Sequence, residues 1–251
     1  ARSSPELEQK ILEEGPETVA MFMAEPVQGA GGILIPPDDY FPRIREICDQ
    51  YDVLLAADEV ITGFGRTGTM FGLEHWGVEP DIIQYAKAIT SGYFPLGGTG
   101  VNDKIADVLD SGEDVWMHAY TYSAHPVGCA VAMANLDIIE GEDFPGQAAA
   151  KGRYLLEALQ ANLGDHPHVG EIRGLGLMVA VEIVEDRATK EEFAAEEKVG
   201  ARINQAMQQH GLFSRMRGDV ICLAPPVVIT NDELDRVIGA VTTAIGDVLG
   251  S

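Results

Sequence analysis

The chain has 251 residues, of which 46% are hydrophobic, 7% aromatic and 23% charged, a composition that excludes a disordered, collagen-like or low-complexity protein. Asp and Glu number 40 against 17 Lys and Arg, so the net charge is −23, and such a surface repels the phosphates of nucleic acids. No run approaches the roughly 18 apolar residues of a membrane helix, so neither nucleic acid nor a membrane is an expected partner.

The first half of the chain predicts a parallel sheet with crossover helices. A polar amphipathic helix is expected over residues 5–14, and a second helix over residues 38–51. Short apolar runs that end in polar or glycine-rich segments predict four strands, at residues 19–24, 53–57, 81–86 and 97–101. This order indicates an α/β domain, in which ligands bind beyond the carboxyl ends of the strands.

From about residue 126 the pattern changes to mixed α+β. Glycines divide EIRGLGLMVAVEIV into two short strands, and LFSRMRGDVICLAPP indicates a hairpin. Helices are predicted over residues 126–140, 147–163, 196–210 and from Asn231 to about Leu249, the last capped by Asn231 or Thr230. We therefore expect one domain over residues 1–135 and a smaller C-terminal domain over residues 136–251.

Two acidic residues, Asp58 and Glu59, follow the apolar strand VLLAA. A buried carboxylate there needs a cationic or hydrogen-bonding partner, because an unpaired buried charge is costly. The pair is a candidate functional site, and the alternative is that both acids cap the next turn. The GFGRTG run at residues 63–68 resembles a phosphate-binding loop only loosely, since it lacks the Lys-Ser/Thr ending of a Walker loop.

An isolated lysine, Lys87, follows the predicted strand DIIQYA in a chain that has few lysines. Schiff-base chemistry requires a neutral amine, which desolvation of an ammonium group favours. Two interpretations stay open on these grounds. Lys87 is either a nucleophilic amine or a structural lysine paired with a carboxylate such as Asp58.

The segment HAYTYSAHP concentrates polar and aromatic side chains in one short loop. Thr121 and Ser123 offer hydroxyl donors to an anion. His118 and His125 are seven residues apart without a nearby acidic cluster, so they are expected in a core or an interface rather than at a metal site. No metal is predicted.

Arg215 and Arg217 are basic residues in an otherwise acidic C-terminal region. A guanidinium group there could bind a substrate carboxylate in bidentate fashion. The alternative, a surface salt bridge, applies to Arg215 and more strongly to Arg217.

Three cysteines, Cys48, Cys129 and Cys222, are widely separated and form neither a metal-binding spacing nor a disulfide framework. We expect them to be buried small hydrophobic residues. Their pattern and the lack of a signal peptide predict a reducing, cytoplasmic location.

Six motifs, taken in order, resemble those of class III pyridoxal-phosphate (PLP) aminotransferases, which have fold type I. They are AEPVQGAGG, LLAADEVITGFGRTG, PDIIQYAKAITSGYFPLG, HAYTYSAHPVG, EIRGLGLMVAVEI and ICLAPPVVIT. Within the family the chain is most similar to the ω-amino acid and amine:pyruvate transaminases. The match runs from about Val19 to the last helix. It implies the second half of the large PLP-binding domain, followed by a small α+β domain.

The resemblance implies a role for each candidate residue. Lys87 would hold PLP as the internal aldimine and later move the proton between substrate Cα and cofactor C4′. Asp58 would pair with the pyridinium nitrogen, and Val60 would pack against the ring. Thr121 would bind the cofactor phosphate of the neighbouring protomer in a homodimer. Arg215 would be the mobile arginine that clamps a substrate carboxylate and swings aside for an apolar amine.

The implied activity is ping-pong transamination from an amine or ω-amino acid to a keto acid such as pyruvate. Glu25, in EPVQG, would support the site electrostatically. Ile61 stands where ornithine and 4-aminobutyrate enzymes of this class carry glutamine in the motif DEVQTG, which favours the ω-amine branch. A decarboxylase, aminomutase or racemase with the same fold and cofactor is the alternative enzyme.

The resemblance covers only the second part of family members. The glycine/serine turn for the cofactor phosphate and the aromatic residue that stacks on the ring normally come from the preceding half. The chain also starts at Ala1 without an initiator methionine. We therefore expect a fragment or an incomplete gene product, and the alternative to an enzyme is a non-catalytic piece that functions only beside its missing half.

Overall fold

The computed structural model describes residues 4–112 and 117–250, and the chain divides into two compact units. The first unit comprises residues 1–27, 36–65 and 69–143, and the second comprises residues 28–35, 66–68 and 144–251. Two short segments from the first half of the chain therefore belong to the second unit.

The first unit contains a four-stranded sheet in which the strands are neighbours in chain order. The strands are β1 (Met21–Ala24), β2 (Leu54–Asp58), β3 (Ile82–Tyr85) and β4 (Gly98–Val101), and its helices are α1 (Ser4–Glu14), α2 (Tyr40–Gln50), α3 (Asp103–Asp110) and α4 (Pro126–Gly141). Strands β1 and β2, and likewise β2 and β3, pair in parallel. The predicted α/β class with a mostly parallel sheet and flanking helices is confirmed.

Strand β4 runs antiparallel to β3, with Val101 opposite Ile82 and Gly98 opposite Tyr85. Its connection from β3 contains a single 3-10 turn (Lys87–Thr90), whereas a parallel pairing needs a longer crossover that is usually helical. The expectation of a parallel sheet is therefore wrong for this strand. Helix α3, which follows β4 directly, was not predicted.

Helices α1 and α2 pack on one face of this sheet, where Ile11, Ile44 and Leu55 are part of a buried cluster. Ala57 points to the same face, since it packs with residues of α2. Because side chains alternate along a strand, Asp58 projects from the opposite face of the sheet. Apolar packing on one side thus leaves the last residue of β2 directed away from α1 and α2.

The second unit contains an antiparallel sheet with the strand order β5-β6-β8-β7. The strands are β5 (Val169–Leu175), β6 (Met178–Ile183), β7 (Arg215–Arg217) and β8 (Val220–Leu223), and the helices are α5 (Phe144–Leu163), α6 (Val199–Gln209) and α7 (Asn231–Leu249). The predicted hairpin and both strands of the glycine-rich segment are confirmed. Thr230 is the N-cap of α7 and forms a capping box with Glu233.

The two faces of the second sheet differ in character. Val179, Val181 and Ile221 lie on the face that packs against α5, α6 and α7 in a large buried cluster. The other face carries charged side chains, among them Arg173 of β5 and Arg215 of β7. No helix within the described parts of the chain is long and apolar enough to cross a membrane.

All three cysteines are free thiols. Cys48 and Cys222 are buried as expected, but Cys129 is exposed, so that expectation is wrong for one residue. Helix α4 buries Gly128 and Ala132, and Cys129 lies about 100° around the helix from Gly128, beyond its packed face.

Candidate active site

Three parallel strands end at one edge of the first sheet, and three of the predicted site residues lie there. Glu25 directly follows β1, Asp58 ends β2, and Lys87 lies just beyond β3. Asp58 is in register with Gln84 of β3, and neighbouring strands lie about 4.8 Å apart. The sheet thus places a carboxylate and an amine-bearing residue at adjoining strand ends.

The Asp58 carboxylate is half-buried, and a local hydrogen bond orients it. Its Oδ1 accepts from the backbone N–H of Val60 at 3.1 Å. The next residue, Glu59, donates its backbone N–H to the carbonyl of Gln84 at 2.9 Å, which extends the pairing with β3. The Val60 N–H thus occupies one oxygen of the carboxylate, and the second oxygen accepts no hydrogen bond from a described residue.

Glu59 has a different environment and a structural role. Only 1% of its surface is exposed, and its carboxylate accepts from the Thr62 hydroxyl and from the backbone N–H groups of Gly72 and Leu73, at 2.8 and 3.0 Å. Burial raises the pKa of Glu59, and these hydrogen bonds partly offset that rise. The alternative that a strand-end acid caps the next turn is confirmed for Glu59.

Lys87 begins the 3-10 turn with a left-handed backbone, at φ +45°, and Ser91 closes the turn at φ +48°. The side chain of Lys87 is exposed, and it forms no ion pair with any described residue. An ion pair with Asp58, the structural alternative for this lysine, is therefore absent from the described part of the chain. Left-handed backbone is uncommon outside glycine and costs about 1 kcal/mol or more.

Asn135 of α4 holds this turn and was not singled out from the sequence. Its Nδ2 donates to the carbonyl oxygens of Ala88 at 2.8 Å and Ile89 at 3.0 Å, and its Oδ1 accepts from the Ser91 hydroxyl at 2.8 Å. Asn has low helix propensity, so an asparagine inside an alanine-rich helix could have indicated a side chain with a specific hydrogen-bonding role.

Thr121 lies in an exposed turn that precedes α4. The backbone N–H of Tyr120 donates to Ser123 Oγ at 3.2 Å, and the Ser123 N–H donates back to the Tyr120 carbonyl at 3.0 Å. His125 is only partly exposed and its ring lies 5.3 Å from that of Phe94. Among the described residues, no group of three or more His, Cys, Asp or Glu side chains could hold a metal ion.

Arg215 belongs to the second unit, on the charged face of its sheet. Arg215 of β7 pairs with Cys222 of β8. Across the sheet, Cys222 pairs with Ala180 of β6, which pairs with Arg173 of β5. Burial raises the pKa of Cys222, and the positive charges of Arg173 and Arg215 act in the opposite direction. The side chain of Arg215 is exposed and forms no ion pair with a described residue, so the surface salt bridge expected as its alternative is not formed among them.

Arg173 explains why residues 28–35 belong to the second unit. Its guanidinium donates to the carbonyl oxygens of Gly32 at 2.8 Å and Ile33 at 2.9 Å, and it also bonds the carboxylates of Glu171 and Glu182. This arginine was not among the predicted functional residues. Its position in EIRGLG, part of one of the six family-like motifs, is the sequence feature that could have identified it.

Comparison with known proteins identifies the family. Residues 1–245 match the model of the class-III aminotransferases, and the chain belongs to this family. It is 45% identical to the putrescine–pyruvate aminotransferase of Pseudomonas aeruginosa over 94% of this chain and 51% of that protein. It is 44% identical to the diaminobutyrate–2-oxoglutarate transaminase of Halomonas elongata over 96% of this chain and 53% of that protein.

Solved structures agree with this assignment. The chain superposes with a TM-score of 0.93 on a thermostable (S)-enantioselective ω-transaminase from Thermomicrobium roseum, at 52% identity, covering 98% of this chain and 55% of that one. It also superposes, at 46% identity and a TM-score of 0.93, on a PLP-bound amine transaminase from an uncultivated Pseudomonas species, covering 98% and 56%. The fold is that of the fold-type-I transaminases. The chain spans about half the length of the curated relatives it matches.

Class-III aminotransferases are PLP-dependent, and the donor set at the sheet edge fits this cofactor. PLP requires an anion for its protonated ring nitrogen and a primary amine for its aldehyde. Asp58 supplies a carboxylate with an unused oxygen, and Lys87 supplies an amine without a competing carboxylate among the described residues. The residues present are therefore compatible with the chemistry of the group.

Proposed function

We propose that the protein carrying this chain is a PLP-dependent transaminase that transfers an amino group from an amine or ω-amino acid to a keto acid such as pyruvate. The observation that supports this most directly is the pair Asp58 and Lys87, which follow neighbouring parallel strands in a chain of the class-III family. A relative named putrescine–pyruvate aminotransferase and two structures described as ω-transaminases support the ω-amine branch.

PLP, when bound, supplies an aldehyde that condenses with amines and a ring that accepts the electron pair left by a broken Cα–H bond. In this proposal the Asp58 carboxylate keeps a proton on the ring nitrogen, and the Val60 N–H keeps that carboxylate turned toward it. Lys87 would hold the cofactor through Nζ, and the same Nζ would carry the proton away from substrate Cα.

Thr121 and Glu25 complete the proposed cofactor site. Thr121 would donate its hydroxyl to the cofactor phosphate of a second copy of the chain, so the proposal includes a homodimer with shared sites. Large apolar side chains exposed around this loop support such an interface, among them Tyr93 at 86%, Met117 at 88% and Tyr122 at 80% exposure. Glu25, which directly follows β1, would add negative charge at the same sheet edge, and Val60 would pack on the ring.

Arg215 is the proposed substrate-binding arginine. Its exposed guanidinium has no ion-pair partner among the described residues, which leaves it able to bind a carboxylate. Residues 1–135 would contribute to the large cofactor-binding domain and residues 136–251 would form the small domain, although the compact units put residues 28–35 and 66–68 with the second part and residues 136–143 with the first. Three free thiols, one of them exposed, support a reducing cytoplasmic compartment.

The first test is covalent trapping. The protein at its natural length is mixed with PLP, reduced with borohydride and digested, and the modified peptide is located by mass spectrometry. We expect the label on Lys87 and its loss in Lys87→Ala. The control Lys104→Ala changes an exposed lysine that pairs with Asp52 at 3.1 Å, and it should keep the label. A label on another residue contradicts the proposal.

The second test is turnover. With an amine donor and pyruvate we expect alanine and the carbonyl product, and with the donor alone we expect the cofactor to accumulate in its amine form. Release of carbon dioxide, or isomerisation of the donor without that accumulation, identifies a decarboxylase or an aminomutase instead. Asp58→Asn should abolish turnover, because the ring nitrogen loses its anionic partner.

A further inference from the structure

We propose that Asn135 is a positioning residue that fixes the direction in which Lys87 presents its amine. The inference rests on the proposed function, because it assigns Asn135 a task only if Lys87 is the cofactor-binding lysine. The contacts that carry it join helix α4 to the 3-10 turn between β3 and β4.

Asn135 uses its whole amide group on this turn. The two Nδ2 hydrogens go to the consecutive carbonyl oxygens of Ala88 and Ile89, at 2.8 and 3.0 Å, and Oδ1 accepts from the Ser91 hydroxyl at 2.8 Å. Asn135 is only partly exposed, so its two bonds to the carbonyl oxygens are partly shielded from competing water, whereas the bond from Ser91 is exposed. One side chain therefore binds three of the residues that follow Lys87.

The turn needs such support because its backbone is strained at both ends. Lys87 lies at φ +45° and Ser91 at φ +48°, both in the left-handed region that residues with a Cβ rarely adopt. The turn itself contributes two backbone bonds, from Ile89 N–H to Ala86 at 3.2 Å and from Ser91 N–H to Ala88 at 3.1 Å. Two bonds donated by Asn135 and one that it accepts from Ser91 offset that strain and hold the backbone conformation at Lys87.

The direction of the Lys87 side chain follows from the same backbone. A change of φ at a residue rotates its Cα–Cβ bond relative to the strand before it, and β3 is fixed by pairing on both sides. If the turn relaxed to ordinary dihedrals, Nζ would leave the edge where Asp58 ends β2. The expected consequence is slower covalent attachment of PLP without weaker non-covalent binding, because Asn135 is assigned no contact with the cofactor.

The test compares variants in the protein at its natural length. Asn135→Asp keeps the shape but removes both donors and turns an anion toward two carbonyl oxygens. Ser91→Ala removes only the bond to Oδ1. Asn162→Asp is the matched control, since Asn162 is an exposed helical asparagine whose Nδ2 donates to the carbonyl of Ala158 at 2.7 Å.

Three quantities are measured for each variant. The first is the rate of PLP attachment to Lys87, followed by borohydride trapping. The second is the dissociation constant for pyridoxamine phosphate, which has no aldehyde and cannot react with a lysine. The third is hydrogen exchange at the amides of Ile89 and Ser91, which reports opening of the turn.

We expect Asn135→Asp to slow attachment by about tenfold or more, with the pyridoxamine phosphate dissociation constant changed less than about twofold and faster exchange at both amides. Ser91→Ala should slow attachment by a smaller factor, and Asn162→Asp should match the wild type. Should Asn135→Asp not fold, Ser91→Ala decides the matter, and an unchanged attachment rate in that variant overturns the proposal.

The other outcomes also discriminate. Equal attachment rates in wild type and Asn135→Asp overturn the positioning role and leave the proposed function standing. Attachment and pyridoxamine phosphate binding that weaken by the same factor also overturn it, because they indicate general loss of structure. Absence of label on wild-type Lys87 refutes the proposed function, and this inference with it.

Discussion

Asp81, at the start of β3, is expected to be a costly carboxylate to remove from the first unit. It is 7% exposed, and it accepts three hydrogen bonds of 2.8 Å from the Leu55 backbone N–H, the Arg45 guanidinium and the Asn102 amide. These partners belong to β2, α2 and the N-cap of α3. One carboxylate thus joins four elements at the end of the sheet opposite to the candidate site.

The size of the effect follows from what Asp81→Ala leaves behind. The Leu55 N–H would lie in the core without an acceptor, which costs about 1–3 kcal/mol, and the Asn102 amide would lose about 1 kcal/mol. Of its ion-pair partners among the described residues, the Arg45 guanidinium would keep the exposed Asp49, at 2.7 Å. We expect a loss of about 3 kcal/mol in the free energy of unfolding.

Urea denaturation measures this loss, and Asp49→Ala is the matched control. Both carboxylates bind the same arginine, but the Asp49 side chain is 67% exposed, and exposed pairs contribute about 0.2–1 kcal/mol. Equal losses in the two variants, or a loss below about 1 kcal/mol for Asp81→Ala, would refute this reasoning.

The same carboxylate predicts a dependence on pH. Burial would raise the pKa of Asp81, but the bonds from Leu55, Arg45 and Asn102 outweigh it, and the net pKa is lowered. Its contribution is therefore complete above the pKa of the unfolded chain, about 3.9, and is lost as the pH falls through the lower folded value. The difference between wild type and Asp81→Ala should shrink in that acidic range and stay constant between pH 5 and about 7.

Three further predictions concern the second unit. Gly152→Ala should destabilise it by about 3 kcal/mol in thermal unfolding, because the new Cβ overlaps the backbone of Gly176. The control Gly239→Ala adds a Cβ with nothing within 4 Å, and it should stabilise α7 by about 0.5–1 kcal/mol. Thr230→Ala removes half of the capping box of α7 and should lower the free energy of unfolding by about 1 kcal/mol in urea titrations. Arg215→Ala should reduce kcat/KM for keto acids more than for apolar amines, and equal losses would contradict the assignment.

Periodic patterns were sufficient for most of the fold. Alternating or continuous apolar runs identified β1, β2 and β3, and the predicted helix over residues 38–51 corresponds to α2 at Tyr40–Gln50. These features depend on local sequence, since each element carries the apolar face that it buries. The capping of α7 by Thr230 was also readable, because Ser, Thr, Asp and Asn dominate that position.

The unpredicted features depend on contacts between distant residues. One exception is the antiparallel direction of β4, which the short interval between the strands predicted at residues 81–86 and 97–101 already favours. Asn135, by contrast, meets the Lys87 turn only after α4 has docked on it. Glu59 could be identified as a candidate, but its capping role depends on Gly72 and Leu73, which lie beyond an intervening loop. Motifs located the strand ends, whereas tertiary contacts decide what each side chain does there.

Under the proposed function, the left-handed backbone at Lys87 sets stability and catalysis against each other. Glycine at position 87 would relieve about 1 kcal/mol of strain and should therefore raise the melting temperature, yet it would eliminate the amine. In a mutational library sorted only for folded protein, glycine should become enriched at this position. In the same library sorted for turnover it should disappear. The enrichment of glycine over lysine in the first sort would measure how much folding free energy the protein forgoes at this one residue to keep its amine.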